Sequence, residues 1–455
     1  MPLKSINPAT GQDLKEYELH TADQVERLLS GATEAFRTWR NTPFAARAEH
    51  MVRAAAILRD RQDHWGEIMA REMGKPITQG RAEAQKCAWV CEYYAEHAVE
   101  FLQNDLVGTD ADLSYVRYEP LGPILAVMPW NYPFWQVFRF AAPGLMAGNV
   151  GLLSHAPNVP ECALAIEEIF TDAGFPAGVF QTLFVDIEAT HALIRDPRVK
   201  AVTMTGSVRA GKSVAEAAGR EIKKTVLELG GSDPFIILAE ADINRAAEVG
   251  AGARCLNSGQ SCIAAKRFIV VENHLQQFTE RLVELMGNRQ VGDPMEADVR
   301  IGPQARQDLL ENLHRQVTES VEQGAELLLG GAPLERAGYF YPPTVLANVQ
   351  KGMPAYHEEI FGPVAAIIPA KDDADAIRLA NDTDYGLGAS LWCADLEKAE
   401  RHTGELEAGS VFVNGLVKSD PRLPFGGVKQ SGYGRELGVH GIREFVNVKT
   451  VWIGK

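Results

Sequence analysis

The sequence predicts an α/β fold built from two blocks of parallel βαβ units. Between Ile124 and Leu238 short β-rich runs alternate with helical segments, and repeated strand–helix alternation makes a parallel sheet with helices on its faces. The alternation resumes after residue 260, which sets a second α/β block behind the first. A length of 455 residues accommodates both at about 100–200 residues per domain. Hydrophobic residues at 46% and charged residues at 23% are the balance of a globular chain, not of a disordered or fibrous one.

The first hundred residues read as helices. Thr21 with Gln24 three positions on makes a capping box, and apolar residues follow at Val25, Leu28, Leu29, Ala32 and Phe36. One helix is expected from about Ala45 to Met73, stopped by Gly74 and Pro76, and another from Arg81 to Leu102. The first block then reads as strands Ile124–Met128, Val150–Leu153, Val179–Val185, Ala201–Met204, Lys224–Leu227 and Phe235–Leu238. Helices near Phe134–Ala147, Glu161–Ala173, Ile187–Ile194 and Val208–Ala218 lie between them. The second block reads as strands Phe268–Val271, Val364–Pro369, Ala389–Trp392 and Val411–Val413, with helices near Leu275–Met286 and Ala374–Asn381. Asp112–Glu119 and Phe445–Ile453 alternate like exposed strands outside both blocks. Strands with spare edges pair across subunits, so a homodimer or homotetramer is expected.

Lys+Arg 45 against Asp+Glu 60 gives a net charge of −15, which argues against a nucleic-acid or anionic-membrane partner, since either would want a basic face. The start MPLKSINPAT has no basic segment followed by an apolar core, and apolar stretches such as Ile124–Trp130 fall short of the ~20 residues of a membrane span. Six cysteines, at 87, 91, 162, 255, 262 and 393, form no CxxC pair. A disulfide framework, a zinc ribbon or any metal site is not expected, and a reducing cytoplasm is the default compartment.

One motif points elsewhere. Gly206-Ser207-Val208-Arg209-Ala210-Gly211-Lys212-Ser213 matches the phosphate-loop pattern GxxxxGKS, after a strand and opening a helix. Alone it suggests a nucleoside triphosphatase. No apolar run ending in a Mg²⁺-holding Asp stands out, however, and any Gly/Ser strand-to-helix turn presents backbone N–H groups to a phosphate, including a dinucleotide pyrophosphate.

Five segments carry a stronger signal: Pro129-Trp130-Asn131-Tyr132-Pro133, Leu227-Glu228-Leu229-Gly230-Gly231, Gly259-Gln260-Ser261-Cys262, Glu358-Glu359-Ile360-Phe361-Gly362-Pro363, and Pro424-Phe425-Gly426-Gly427 with Ser431-Gly432. In this order and spacing the chain resembles the aldehyde dehydrogenase superfamily over nearly its whole length, and within it the succinate-semialdehyde subgroup. The resemblance implies a Rossmann-like dinucleotide-binding domain (1–101 and 122–230), a catalytic domain (231–430) and a small β element for oligomerisation (102–121 and 440–455).

Oxidising an aldehyde needs a nucleophile, an oxyanion site, a hydride acceptor and a water activator. A cysteine thiolate suits the first, and Cys262 sits in a loop of small residues that leaves room for a substrate. By resemblance, Asn131 and the Cys262 backbone N–H face the oxyanion, and Glu228 activates the water that hydrolyses the thioester. Glu359 is carried over to the nicotinamide-side ribose, Phe361 to the nicotinamide wall, and Gly206 and Ser207 to the pyrophosphate. Met128, Trp130 and Leu229 are expected to flank the cofactor.

Arg139, on an apolar helix, needs a countercharge, because a buried unpaired charge is costly. The resemblance makes it, with Ser419, the clamp on a substrate carboxylate, while Trp135, Tyr132, Ser261 and Phe425 line the funnel; a structural ion pair is the alternative. A four-carbon ω-carboxy aldehyde fits, as does glutarate semialdehyde. One departure bears on the cofactor. The family's usual lysine after the strand Val150–Leu153 is Ser154 here, and the glutamate of NAD-preferring members is Pro157, with His155 as the neighbouring candidate cation. NAD or NADP is expected, with a lean to NAD. A catalytically idle member of the same fold is a further rival.

Overall fold

The protein is described by a computed structural model that covers residues 2–454. Its first sheet has six strands, in spatial order Gly432–Tyr433, Lys224–Glu228, Ala201–Thr205, Pro123–Met128, Val150–His155 and Phe180–Thr182. The last five are parallel, and Gly432–Tyr433 closes the edge antiparallel to Lys224–Glu228. Runs such as Ile124-Leu125-Ala126 are buried because helices cover both faces of a parallel sheet. The chain leaves Pro123–Met128 to one side for two strands and then returns to its other side with Ala201–Thr205. That reversal opens a crevice beyond the carboxyl ends of the two strands, where α/β sheets bind their ligands.

The second sheet has seven strands: Glu326–Leu329, Thr344–Ala347, Val364–Ala370, Arg267–Val271, Pro234–Ile237, Gly388–Trp392 and Ser410–Val413. All neighbours are parallel except the first pair. A third sheet joins Asp105–Leu106, Leu113–Pro120 and Val446–Ile453 antiparallel, so the two alternating segments noted in the sequence pair with each other. No helix among the described residues is long and apolar enough to cross a membrane, and all six cysteines are free.

Four features differ from expectation. Strand Pro234–Ile237, expected to end the first block, pairs instead with Arg267–Val271 and Gly388–Trp392 in the second sheet, because the chain crosses over after Glu228. The amino terminus is a hairpin of Leu3–Asn7 and Gln12–Tyr17, whose second strand, QDLKEY, is exposed over most of its length and has no alternation to betray it. The single helix expected over Ala45–Met73 is two, Phe44–Asp60 and Gln62–Met73. The break falls at Arg61, whose guanidinium reaches Glu168 at 2.9 Å and Asp172 at 3.0 Å on another helix, a tertiary cause with no Gly or Pro to announce it. Helix Gln307–Glu322 and strands Glu326–Leu329 and Thr344–Ala347 fill a stretch in which the sequence pattern distinguished no elements.

Candidate active site

The loop carrying Cys262 is held in a strained shape. Asn257, Ser258 and Gly259 are three successive residues with positive φ, at 55°, 56° and 74°. Single non-glycine residues in that region cost about 1–3 kcal/mol and persist where surrounding bonds over-determine them. Here Asn257 Nδ2 donates to the carbonyls of Asn131 (2.7 Å) and Gln260 (3.0 Å), Ser258 Oγ accepts from Gly302 N–H at 2.8 Å, and Arg254 donates to Gly259 O at 2.6 Å. Lys266, fully buried, donates to the carbonyls of Ser261 (2.9 Å) and Cys262 (2.7 Å) and stands 3.9 Å from Glu359.

The separate sequence segments meet on this loop. A Cβ on Gly259 would lie 2.2 Å from the Gly362 carbonyl carbon, so the loop touches the backbone just beyond Phe361. A Cβ on Gly231 would lie 2.6 Å from Cys262 O. Gly231 N–H donates to Glu359 at 3.0 Å, and Asn131 Nδ2 donates to Gln260 O at 3.2 Å, two residues before Cys262. Asn131 keeps one amide hydrogen free for an oxyanion. Trp130 meets Phe361 edge-on at 5.7 Å.

Cys262 is half-buried at the wall of a cavity of about 210 Å³, which Tyr132, Trp135, Arg139, Ser261, Ser419 and Phe425 also line. Burial pushes its thiol up to about 12, while the charges of Arg139 and Lys266 pull the other way, so the resting sulfur is protonated. The helix bearing Trp135 and Arg139 starts on a built cap. Glu83 accepts from the N–H groups of Phe134 (3.0 Å) and Trp135 (2.9 Å), and Lys75 holds Glu83 at 2.6 Å.

Arg139 lines the cavity, but its guanidinium already has a partner: its Nε pairs with Glu436, both side chains being buried, and its plane stacks on Phe425 at 4.6 Å. The structural ion pair weighed in the sequence is therefore present, because a guanidinium in an apolar helix requires a carboxylate close by. Glu228 belongs to the same group. It ends the strand Lys224–Glu228, fully buried, and neither oxygen has a hydrogen-bond partner among the described residues; a Cβ on Gly426 would lie 2.7 Å from its Oε1. Burial and the Glu436 charge hold its carboxyl well above the usual carboxylate range, against the pull of Arg139 and Arg435. Glu228 thus lies behind the cavity as a carboxyl held above its usual range by burial and by Glu436.

At the cofactor crevice, Met128 ends one strand of the switch point and Trp130 follows it, and Gly206 and Ser207 follow the other. Gly206 N–H donates to Glu228 O at 3.0 Å, and Ser207 caps helix Val208–Arg220 through Ala210 N–H at 3.3 Å. Lys212 points away, to Gln430 at 3.4 Å, so the phosphate-loop lookalike is here a helix amino terminus. Leu229, expected beside the cofactor, packs its side chain under Gly211, where a Cβ would lie 2.5 Å from it. Ser154 is buried, 3.5 Å from Thr190, and Pro157 is exposed. His155 does not supply a cation. Its ring nitrogens face Pro133 O and Ala156 N–H, each at 2.9 Å, and burial pushes it down to about 4.

Sequence reading missed Glu436, Lys266 and Lys86. Lys266 and Glu436 lie close after Cys262 and Gly432, whereas Lys86 lies in no motif and its only signal was a charged residue in apolar company.

Two large, mainly parallel sheets with a switch-point crevice and a cysteine loop beside it fit the class of dinucleotide-dependent oxidoreductases. The chain belongs to the aldehyde dehydrogenase family: the model described as "Aldehyde dehydrogenase family" matches residues 1–451. It is 52% identical over 453 residues, covering 100% of both chains, to a probable succinate-semialdehyde dehydrogenase [NADP(+)] of Synechocystis. It is 48% identical over 456 residues, again covering 100% of both, to succinate-semialdehyde dehydrogenase [NADP(+)] 1 of Mycobacterium tuberculosis. Among solved structures, succinic semialdehyde dehydrogenase from Streptococcus pyogenes with NADP+ superposes with a TM-score of 0.97 at 37% identity, covering 100% of both chains. An NAD-dependent aldehyde dehydrogenase from Sinorhizobium meliloti gives 0.96 at 35%, covering 100% of this chain and 92% of the other.

Proposed function

We propose that this enzyme oxidises succinate semialdehyde to succinate with NADP. The observation that carries the reading is one cavity with Cys262 on its wall and lysine, arginine and serine side chains elsewhere in its lining, which suits an aldehyde carrying an anionic tail. The switch-point crevice, the helix amino terminus at Ser207 and the Glu359 carboxylate fit a dinucleotide. Met128, Trp130, Glu359 and Phe361 would hold its nicotinamide half, Gly206 and Ser207 its pyrophosphate, and the segment from Ser154 to Pro157 its adenosine ribose. When bound, it accepts hydride.

The protein's own residues do the rest. Cys262 releases its thiol proton to solvent and adds as the thiolate to the aldehyde carbon, and Asn131 Nδ2 with the Cys262 backbone N–H stabilises the oxyanion; one such donor contributes about 2.7–4 kcal/mol to the transition state. After oxidation the acyl group is a thioester on Cys262. Glu228 as a carboxylate takes a proton from water, the hydroxide adds to the thioester carbon, and the C–S bond breaks to release the acid and return the Cys262 thiolate.

NADP is favoured because no carboxylate at Pro157 repels a 2′-phosphate, and relatives at about half identity carry NADP in their names. Initial rates followed at the reduced-nicotinamide band should show kcat/KM higher with NADP than with NAD. Equal or reversed values would refute the cofactor choice, and no reduction with either cofactor would refute the activity.

The three-stranded sheet exposes Leu106, Leu113, Val448, Trp452 and Ile453, and we assign it to a contact with a second copy of the chain. Light scattering should give a dimer or tetramer; a monomer mass at assay concentration would refute this.

A further inference from the structure

The segment from Asn131 to Trp135 is held at both ends by one buried ion pair. Lys75, 1% exposed, stands in the turn between helices Gln62–Met73 and Ile77–Phe101, just after Gly74 ends the first of them in a left-handed conformation. Its ammonium donates to the Asn131 carbonyl at 3.0 Å, lies 3.8 Å over the Tyr132 ring and pairs with Glu83 at 2.6 Å. Glu83 in turn accepts from the N–H groups of Phe134 and Trp135. A buried pair of this kind is often worth no more to stability than apolar side chains of the same volume. What it supplies here is a fixed backbone at the residue that faces the oxyanion.

The bonds around Asn131 close into a ring. Its carbonyl accepts from Lys75 and from Asn257 Nδ2 at 2.7 Å, which engages both lone pairs and fixes the peptide plane. The same Asn257 nitrogen donates at 3.0 Å to Gln260 O, which also accepts from Asn131 Nδ2 at 3.2 Å. With the backbone fixed and one amide hydrogen spent on Gln260 O, the planar amide leaves the other hydrogen a single direction. Gln260 is two residues before Cys262, so the ring also sets the spacing between that hydrogen and the nucleophile. Asn257 and Gln260 belong to the Cys262 loop itself, whereas Lys75 ties the ring to the helices outside it.

We propose that Lys75 is a positioning residue for the oxyanion site: by holding the Asn131 carbonyl it aims the free hydrogen of the Asn131 amide at the tetrahedral intermediate formed on Cys262. Lys75 is not among the residues that line the cavity, so it acts through Asn131 and not by touching the aldehyde. This rests on the oxyanion role given to Asn131 in the proposed function and goes one step behind it.

The test is a double-mutant cycle on the single-turnover rate of cofactor reduction, with Lys75→Met, Asn131→Ala and the two together. Asn131→Ala should slow reduction about 100–1,000-fold, the loss of one oxyanion donor. Lys75→Met should slow it about 10–100-fold, while the Kd for NADP, read by quenching of protein fluorescence, stays within about twofold of wild type. In the Asn131→Ala background Lys75→Met should cost no more than about twofold further, because the amide it aims is gone. A residue that served stability alone would give losses that multiply, and that result, or a wild-type rate in Lys75→Met, overturns the proposal. A wild-type rate in Asn131→Ala overturns the oxyanion assignment itself, whatever Lys75 does. Because an unpaired buried Glu83 threatens folding of Lys75→Met, the cycle is repeated with Lys75→Met/Glu83→Gln, which leaves no orphan charge and keeps an acceptor oxygen for the Phe134 and Trp135 N–H groups. The same loss and the same non-additivity are expected there, and multiplying losses or a wild-type rate would refute the positioning role.

Discussion

Alanine at Cys262 should eliminate aldehyde oxidation, a loss on the order of 10⁶-fold as when a covalent nucleophile is removed, while cofactor binding and thermal unfolding stay close to wild type. The thiol is half-buried on a loop whose backbone is fixed by Lys266, Asn257 and Arg254, none of which uses the sulfur, so deleting it leaves the scaffold in place. The same environment sets a pH dependence. With the thiol pushed up to about 12, the thiolate fraction of the cofactor-free enzyme grows about tenfold per pH unit across the neutral range. Carbamidomethylation of Cys262 by iodoacetamide should therefore accelerate from pH 7 to pH 9 without levelling. A plateau below pH 8 would mean a thiolate is already present at rest, contrary to the burial described.

The second large effect is expected at Gly259→Ala. The residue has φ +74°, where an L side chain costs about 1–2 kcal/mol, and its new Cβ would lie 2.2 Å from the carbonyl of Gly362, a backbone atom flanked by Phe361 and Pro363. Neither segment can withdraw without shifting both Cys262 and the Glu359–Phe361 wall. The variant should lose about 3 kcal/mol or more of stability, in the range typical of overpacked and strained sites, and at least 100-fold in kcat/KM. Gly219→Ala, with nothing within 4 Å of its Cβ, is the control. Thermal unfolding and steady-state kinetics on the pair decide the matter, and wild-type values at Gly259→Ala would show that the close approach is not needed.

Both predictions rest on segments that are legible in the sequence. Cys262 among small residues, Asn131 before Tyr-Pro and Glu228 before Gly-Gly are each weak signals alone, and their order and spacing together carry the resemblance. The strand–helix alternation announced both sheets by period alone, and the capping box at Thr21 and Gln24 is present, with Gln24 N–H donating to Thr21 at 3.3 Å. The break at Arg61 and the amino-terminal hairpin were not legible. The first is set by an ion pair to a helix about a hundred residues away, and the second is an exposed strand without a periodic apolar face.

By itself the sequence determined the α/β class and, through the order of its motifs, the family, since these depend on residue type and spacing along the chain. Only the tertiary structure decided which charges face one another. Arg139 and Glu436 are 297 positions apart in the chain yet form one buried pair, and the Glu436 charge with burial raises the carboxyl of Glu228 above its usual range. Electrostatic energy depends on distance through a low-dielectric interior, and separation along the chain says nothing about it until the sheets have brought the groups together.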